Sequence, residues 1–266
     1  QPARRRQAAM FRWEEADYIP MIFGVEVPEL KDLPSYDWRE QFHDPAKSFI
    51  EQMKGAVRSL ASGSDAIASL RADTGVVNGP ALFGAQIDVP THTKPVVTRY
   101  VPKETLRDFA LPEDLRGLGT VDRIIEHMEH HAAALEAHGL RGLIHLHHCD
   151  TQGPFDIAEQ TRGHEIFTDF YEDPEFVHHL MDQSTRAYIG LSALTKRLAG
   201  DGERRGSASG FWMENGGVRM CDDSGILLSA RVFEEVVLPY HTRALAHFGG
   251  GWIHYCGGVP AGGRAE

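Results

Sequence analysis

Short apolar runs alternate along this chain with longer segments whose apolar residues recur at helical spacing, and that alternation leaves few folds open. The segment PAKSFIEQMKGAVRSLASG, 45–63, puts Phe49, Met53, Val57 and Leu60 on one helical face, with Pro45 at its start and Gly63 at its end. DAIASLRAD, 65–73, follows as a strand. VDRIIEHMEHHAAALEAHG, 121–139, predicts a helix closed by Gly139, and RGLIHLHHCDTQGPFDIA after it reads as a strand running into a loop. In 173–200, Asp173 is an N-cap, Pro174 takes the first helical position and Gly200 lies past the end. A strand at 218–221, a helix opened by Ser229 and bent at Pro239, and a last strand at 252–256 continue the series. YIPMIFGVEV, 18–27, is the first strand. Such alternation means βαβ units around a parallel sheet, read here as one α/β domain over 1–266.

Several function classes fall away. There is no GxGxxG after the first strand and no GxxxxGK[ST], so nucleotide-binding versions of the architecture lack support. A formal charge of -11 argues against nucleic acid or an anionic membrane as partner. No apolar run approaches the roughly 20 residues of a membrane span, and the start, QPARRR followed by AAMFRWEEADYIP, lacks the apolar core of a secretory signal. Three scattered cysteines, 149, 221 and 256, make no disulfide framework and point to a reducing cytoplasm. Of the fifteen histidines, His127, His130, His131, His178 and His179 fall in helix-like polar stretches and read as surface residues. The Gly-, Pro- and Thr-rich excursion 74–119 reads as functional rather than idle.

The strand ends carry the chemistry. One closes on Arg71-Ala72-Asp73, another on His147-His148-Cys149-Asp150, a third on Cys221-Asp222-Asp223, and the last on His254 and Cys256. In a parallel barrel such ends meet at one mouth; singly, each carboxylate could equally cap the next turn. His254 and Cys256, at i and i+2 of a strand, project to one face. An imidazole and a thiol side by side suit either a core position or a metal such as zinc.

CDTQGPFDIAEQTRG, 149–163, with DPEFVHHLMD after it, resembles the GPF[TD]-A signature of the uroporphyrinogen decarboxylase superfamily. CDDSGILLSARVFEEVVLPYH, 221–241, is similar to its acidic-loop segment, and RRRQAAMFRWEEADYIP to its opening helix and first strand. The resemblance implies a (β/α)8 TIM-type barrel. True decarboxylases of the group resemble one another at RQAGRYxPE, whose arginines hold substrate carboxylates. Here FRWEEADYIPM keeps Arg12 without the paired pattern, which makes a porphyrinogen substrate doubtful. IHYCGG matches instead the HxC element of the cobalamin-dependent methyltransferase branch.

That branch implies an enzyme moving a methyl group between a corrinoid, carried on a partner corrinoid protein, and a small-molecule thiol or similar acceptor. His254 and Cys256 would be metal ligands for zinc. Asp73 and Asp222 would be catalytic, and Asp73, Asp150, Phe155 and Asp223 would contact substrate. The alternatives are a cofactorless decarboxylase, with Asp73 stabilising a protonated pyrrole, and a barrel that binds a corrinoid or tetrapyrrole without turnover. Five or six strands are visible where the barrel needs eight, and the later cysteine ligand has no counterpart after Cys256; the chain therefore reads as C-terminally truncated. Cys221, Cys149 or His147 could stand in as the third ligand. Unpaired edge strands would invite a homodimer.

Overall fold

Helices form where the sequence punctuates them. The computed structural model describes residues 2–256. It runs α1 (Pro2–Phe11), α2 (Trp38–His43), α3 (Pro45–Ser62), β1 (Ser69–Leu70), α4 (Asn78–Leu82), β2 (Gln86–Asp88), β3 (Val96–Arg99), α5 (Lys103–Leu106), α6 (Val121–Ala137) and β4 (His145–Leu146). Then come α7 (Pro154–Arg162), α8 (Ile166–Glu172), α9 (Pro174–Ala199), β5 (Gly206–Ala208), β6 (Phe211–Met213), β7 (Arg219–Cys221), α10 (Ala230–Val232), α11 (Leu238–His247) and β8 (Trp252–His254). Asp44 caps α3 by accepting from the N–H groups of Ala46 and Lys47, and Gly63 leaves it at φ 63°. Asp173 caps α9 by accepting from the Phe176 N–H, and Gly200 ends it at φ 80°. The core gathers around α9, where Phe176, Leu180 and Tyr188 are buried with Leu70, Leu146 and Phe155. Tyr188 also donates its hydroxyl to the Arg219 carbonyl at 3.1 Å, which ties α9 to β7.

The mixed α/β class holds; the sheets among the described residues are small and do not close into a barrel. Among the described residues the strands pair only in twos: β1 with β4 and β7 with β8 in parallel, β2 with β3 and β5 with β6 antiparallel. The two parallel pairs are what the alternation predicted. The antiparallel hairpins lie in 74–119 and in the polar stretch after α9, where no strand was expected. Residues 257–266, on which the truncation and the missing cysteine were read, lie outside the described residues.

Three further expectations are corrected. Residues 18–27 form no strand; Met21 exchanges hydrogen bonds with Asp65, and Ile19 is 82% exposed. Pro20 has no N–H to give, and no strand runs alongside. His127 and His131 are fully buried, one turn apart on the face of α6 that meets Phe49 of α3, whereas His178 is exposed. Helical position outweighed side-chain polarity there. Where one helix bent at Pro239 was expected, a π turn runs over Phe233–Val237 and Pro239 falls in the first turn of α11, where a missing N–H costs least. No helix among the described residues is long and apolar enough to cross a membrane.

Candidate functional site

Two clusters sit at the ends of the parallel strands, on either side of β7. The first lines a cleft of ≈ 490 Å³ between the ends of β1, β4 and β7, with Arg71, Asp73, Lys94, His147, Asp150 and Arg219 in its wall. Arg71 follows β1 and reaches Asp73 at 3.3 Å and Asp150 at 3.2 Å. Arg219, in β7, meets Asp150 at 3.0 Å, and Lys94, brought in by the β2–β3 hairpin, meets Asp73 at 3.1 Å. Gly75 lets that hairpin close down: it sits at φ 81°, and a Cβ there would lie 2.9 Å from Pro95.

Burial works to raise the pKa of both carboxyls, but the cations outweigh it. Arg71 and Lys94 hold Asp73 below the usual carboxylate range, and Arg71 and Arg219 do the same for Asp150. The charged side chains of the cleft are thus three cations, Arg71, Lys94 and Arg219, against two carboxylates. A larger groove, ≈ 820 Å³, runs along residues 98–104 beside Arg162 and His164. None of the parallel-strand ends lines it, and its Lys103 and Arg162 are already matched by Asp169.

The second cluster joins the ends of β7 and β8. Parallel pairing sets Cys221 opposite His254, and the Asp222 N–H donates to the His254 carbonyl at 2.9 Å. His254 and Cys256 do face the same way, with Nε2 and Sγ 2.9 Å apart. Asp223 Oδ1 lies 3.9 Å from the same Nε2, and one donor atom from each of Asp223, His254 and Cys256 falls within 4.8 Å of the others. Cys256 is exposed; its hydrogen bond to Asp223 raises the thiol's pKa.

The loop carrying Asp223 is held by Asp156 of α7, which accepts from the N–H groups of Asp223 at 2.9 Å and Ser224 at 2.8 Å. Gly153 lets α7 start hard against β7, since a Cβ there would stand 2.2 Å from the Cys221 carbonyl oxygen.

The structure separates the expected residues. Asp73 and Asp150 share the cleft; Asp223 belongs with His254 and Cys256 rather than in the cleft wall. Asp222, expected at the mouth, is fully buried and turns toward His241 of α11, with Oδ2 3.5 Å from Nδ1. Burial, with Asp156 and Asp223 nearby, pushes its carboxyl up to about 7. Phe155 is fully buried against Phe167 and Phe170 and is core, not a cleft wall. Of the stand-in ligands, Cys149 and Cys221 are buried thiols whose pKa burial raises, the former to about 12, and His147 lines the other cluster. Sequence reasoning passed over Arg219, Lys94 and Asp156. Arg219 alone left a trace, as a cation beside the Cys221-Asp222-Asp223 strand end.

Arg219 connects the two clusters. It binds Asp150, and its guanidinium lies 5.6 Å from the centre of the Trp252 ring in β8.

No family model matches the sequence, and no curated protein matches it. Among solved structures, a methyltransferase from Methanosarcina mazei shares the fold with a TM-score of 0.71 at 16% identity, over 96% of this chain and 70% of that one.

Proposed function

We propose that this chain is a methyltransferase of the uroporphyrinogen decarboxylase superfamily, acting with zinc to move a methyl group between a corrinoid and a small thiol or similar acceptor. The observation that carries the reading is the convergence of Asp223, His254 and Cys256 within 4.8 Å at two parallel strand ends. An imidazole nitrogen, a thiol sulfur and a carboxylate oxygen are the donors a zinc site with one open position takes. The shared fold with a methyltransferase supports the reaction class.

Each residue then has a task. His254, the last residue of β8, and Cys256 just after it would hold the metal, Asp223 beyond the end of β7 would supply the third donor, and Asp156 fixes the Asp223 loop through two backbone N–H groups. A zinc ion there would lower the pKa of a thiol entering its open position, giving a thiolate at neutral pH. The charged cleft beside β7 holds the polar part of the substrate, and Arg219, which pairs with Asp150 in it, also lies over Trp252 of β8. The decarboxylase reading asks Asp73 to stabilise a developing positive charge. Arg71 and Lys94 already occupy that carboxylate, which weighs against it.

Zinc stoichiometry on the purified chain, on Cys256→Ser and on Asp223→Asn tests the reading. Near-equimolar zinc in the first and a loss of at least tenfold in affinity in both variants is expected. Equal zinc in all three would overturn it.

A further inference from the structure

His147 and His148 follow β4 and differ in one respect. In His148, Nδ1 lies 2.9 Å from the Cys149 carbonyl oxygen. A carbonyl only accepts, so Nδ1 carries the proton and Nε2 is a lone-pair acceptor. The Arg219 N–H fills that acceptor at 3.2 Å. His147 repeats the first half of the pattern: its Nδ1 lies 2.9 Å from the His148 carbonyl oxygen, so its Nε2 is likewise an acceptor. Among the described residues none donates to it. The residue is only 6% exposed, and it lines the ≈ 490 Å³ cleft. Burial and the neighbouring Arg71 keep the ring neutral.

Around this neutral acceptor the cleft carries charged donors. Arg71, Lys94 and Arg219 face two carboxylates, Asp73 and Asp150, which leaves a surplus positive charge. Arg71 gives one hydrogen bond to each carboxylate, and Arg219 gives Asp150 one from its guanidinium. Guanidinium N–H groups are left over on both, since each has five.

We infer that the cleft binds a small anion that also carries one hydrogen-bond donor, and that His147 Nε2 is the group that reads the donor. The anion matches the surplus charge. Its X–H meets the lone pair of Nε2. An anion of the same shape with acceptors alone would set lone pair against lone pair and leave a buried acceptor unpaired, so the site rejects it. Two kinds of molecule share this chemistry: phosphate-type oxyanions that keep a proton, and hydroxy acids. The inference rests on giving the cleft to the substrate, as above, and narrows that substrate's class. It does not depend on the metal.

Isothermal titration calorimetry on the whole chain at pH 7 and low salt tests it with two matched pairs of probes: inorganic phosphate against sulfate, and lactate against propionate. In each pair the molecules are close in size and differ in whether they carry an O–H: phosphate at pH 7 keeps one or two and sulfate none, and lactate has one more than propionate. We expect the donor-bearing member of at least one pair to bind tenfold or more tightly than its partner, and which pair responds identifies the kind of ligand. In His147→Leu that preference should shrink to within twofold, while Arg219→Met should weaken both members together. If His147→Leu does not fold, the ring ¹⁵N spectrum of the unaltered protein reads the same contact, through a shift of the His147 Nε2 resonance when the preferred probe is added. Equal binding within both pairs, a preference that survives in His147→Leu, an unmoved Nε2 resonance, or no binding of any probe at 10 mM would each overturn the inference. Zinc content is measured separately. Selectivity retained without zinc defeats the metal reading alone, and zinc retained without selectivity defeats this one alone.

Discussion

Replacing Asp150 by asparagine keeps the side chain's shape and removes the charge that two buried guanidinium groups share. Arg71 and Arg219 reach Asp150 at 3.2 Å and 3.0 Å, and the three side chains are only 15%, 16% and 9% exposed. At an effective dielectric near 20, each pair is worth about 5 kcal/mol of Coulomb attraction, most of it offset by the desolvation of the three groups. Removing one partner strands that desolvation: Arg71 retains Asp73, but Arg219 retains no described carboxylate within salt-bridge distance. We therefore expect Asp150→Asn to cost about 3–5 kcal/mol, the range for breaking a buried pair. Urea unfolding at pH 7 should show the midpoint falling by roughly 1–2 M with an unchanged slope. Because the carboxyl's pKa is depressed on folding, its contribution is present above the unfolded carboxylate value of about 3.9 and is lost as pH falls below it. The gap between the two proteins should accordingly close on acidification. The double variant Asp150→Asn/Arg219→Met should recover part of the loss, since no charge is then stranded at Arg219. A cost below about 1 kcal/mol, the value of a surface pair, or a double variant as costly as the sum of the singles, would refute the reasoning.

Three more outcomes follow from other parts of the molecule. Ellman's reagent should label Cys256 alone in the native chain and all three thiols in urea, and equimolar zinc should slow the native reaction; fast labelling of Cys149 or Cys221 would contradict their burial. His127 and His131 are held at about 4 by burial above all, so the unfolded chain takes up protons first and stability falls as pH drops from 6.5 toward 4, by about 2 kcal/mol per residue at pH 5. His131→Leu should flatten thermal melting against pH in that window, and an unchanged profile would exclude it as a contributor. Gly153→Ala should cost about 1–3 kcal/mol or more, because the added methyl meets the backbone of Cys221 rather than a movable side chain; an unchanged melting temperature would show that α7 can shift away.

How far the sequence could be read depended on how local the cause was. The caps of α9, Asp173 and Gly200, are fixed within a few residues of chain, and they were legible. So was the same-side pairing of His254 and Cys256, which needs only an extended backbone. The burial of His127 and His131 was not legible, because polarity argues for the surface and only the packing of α6 on α3 decides otherwise. The apolar run 18–27 misled for the reverse reason: it has strand composition but no neighbouring strand. In the site, Asp73 and Asp150 were visible as strand-end carboxylates. Lys94 and Arg219 acquire their roles only when β2–β3 and β7 fold back on those strands.

The second cluster also ties folding to ligand. Asp223 and His254 are separated in the chain by α10, the π turn and α11, and they meet only when β8 has docked beside β7. Closing so long a segment carries an entropic cost that two three-residue strands hardly offset. Any ion that grips both ends would act as a clasp on the unit, stabilising it by RT ln(1 + [L]/Kd), and would slow hydrogen exchange first at the β8 amides.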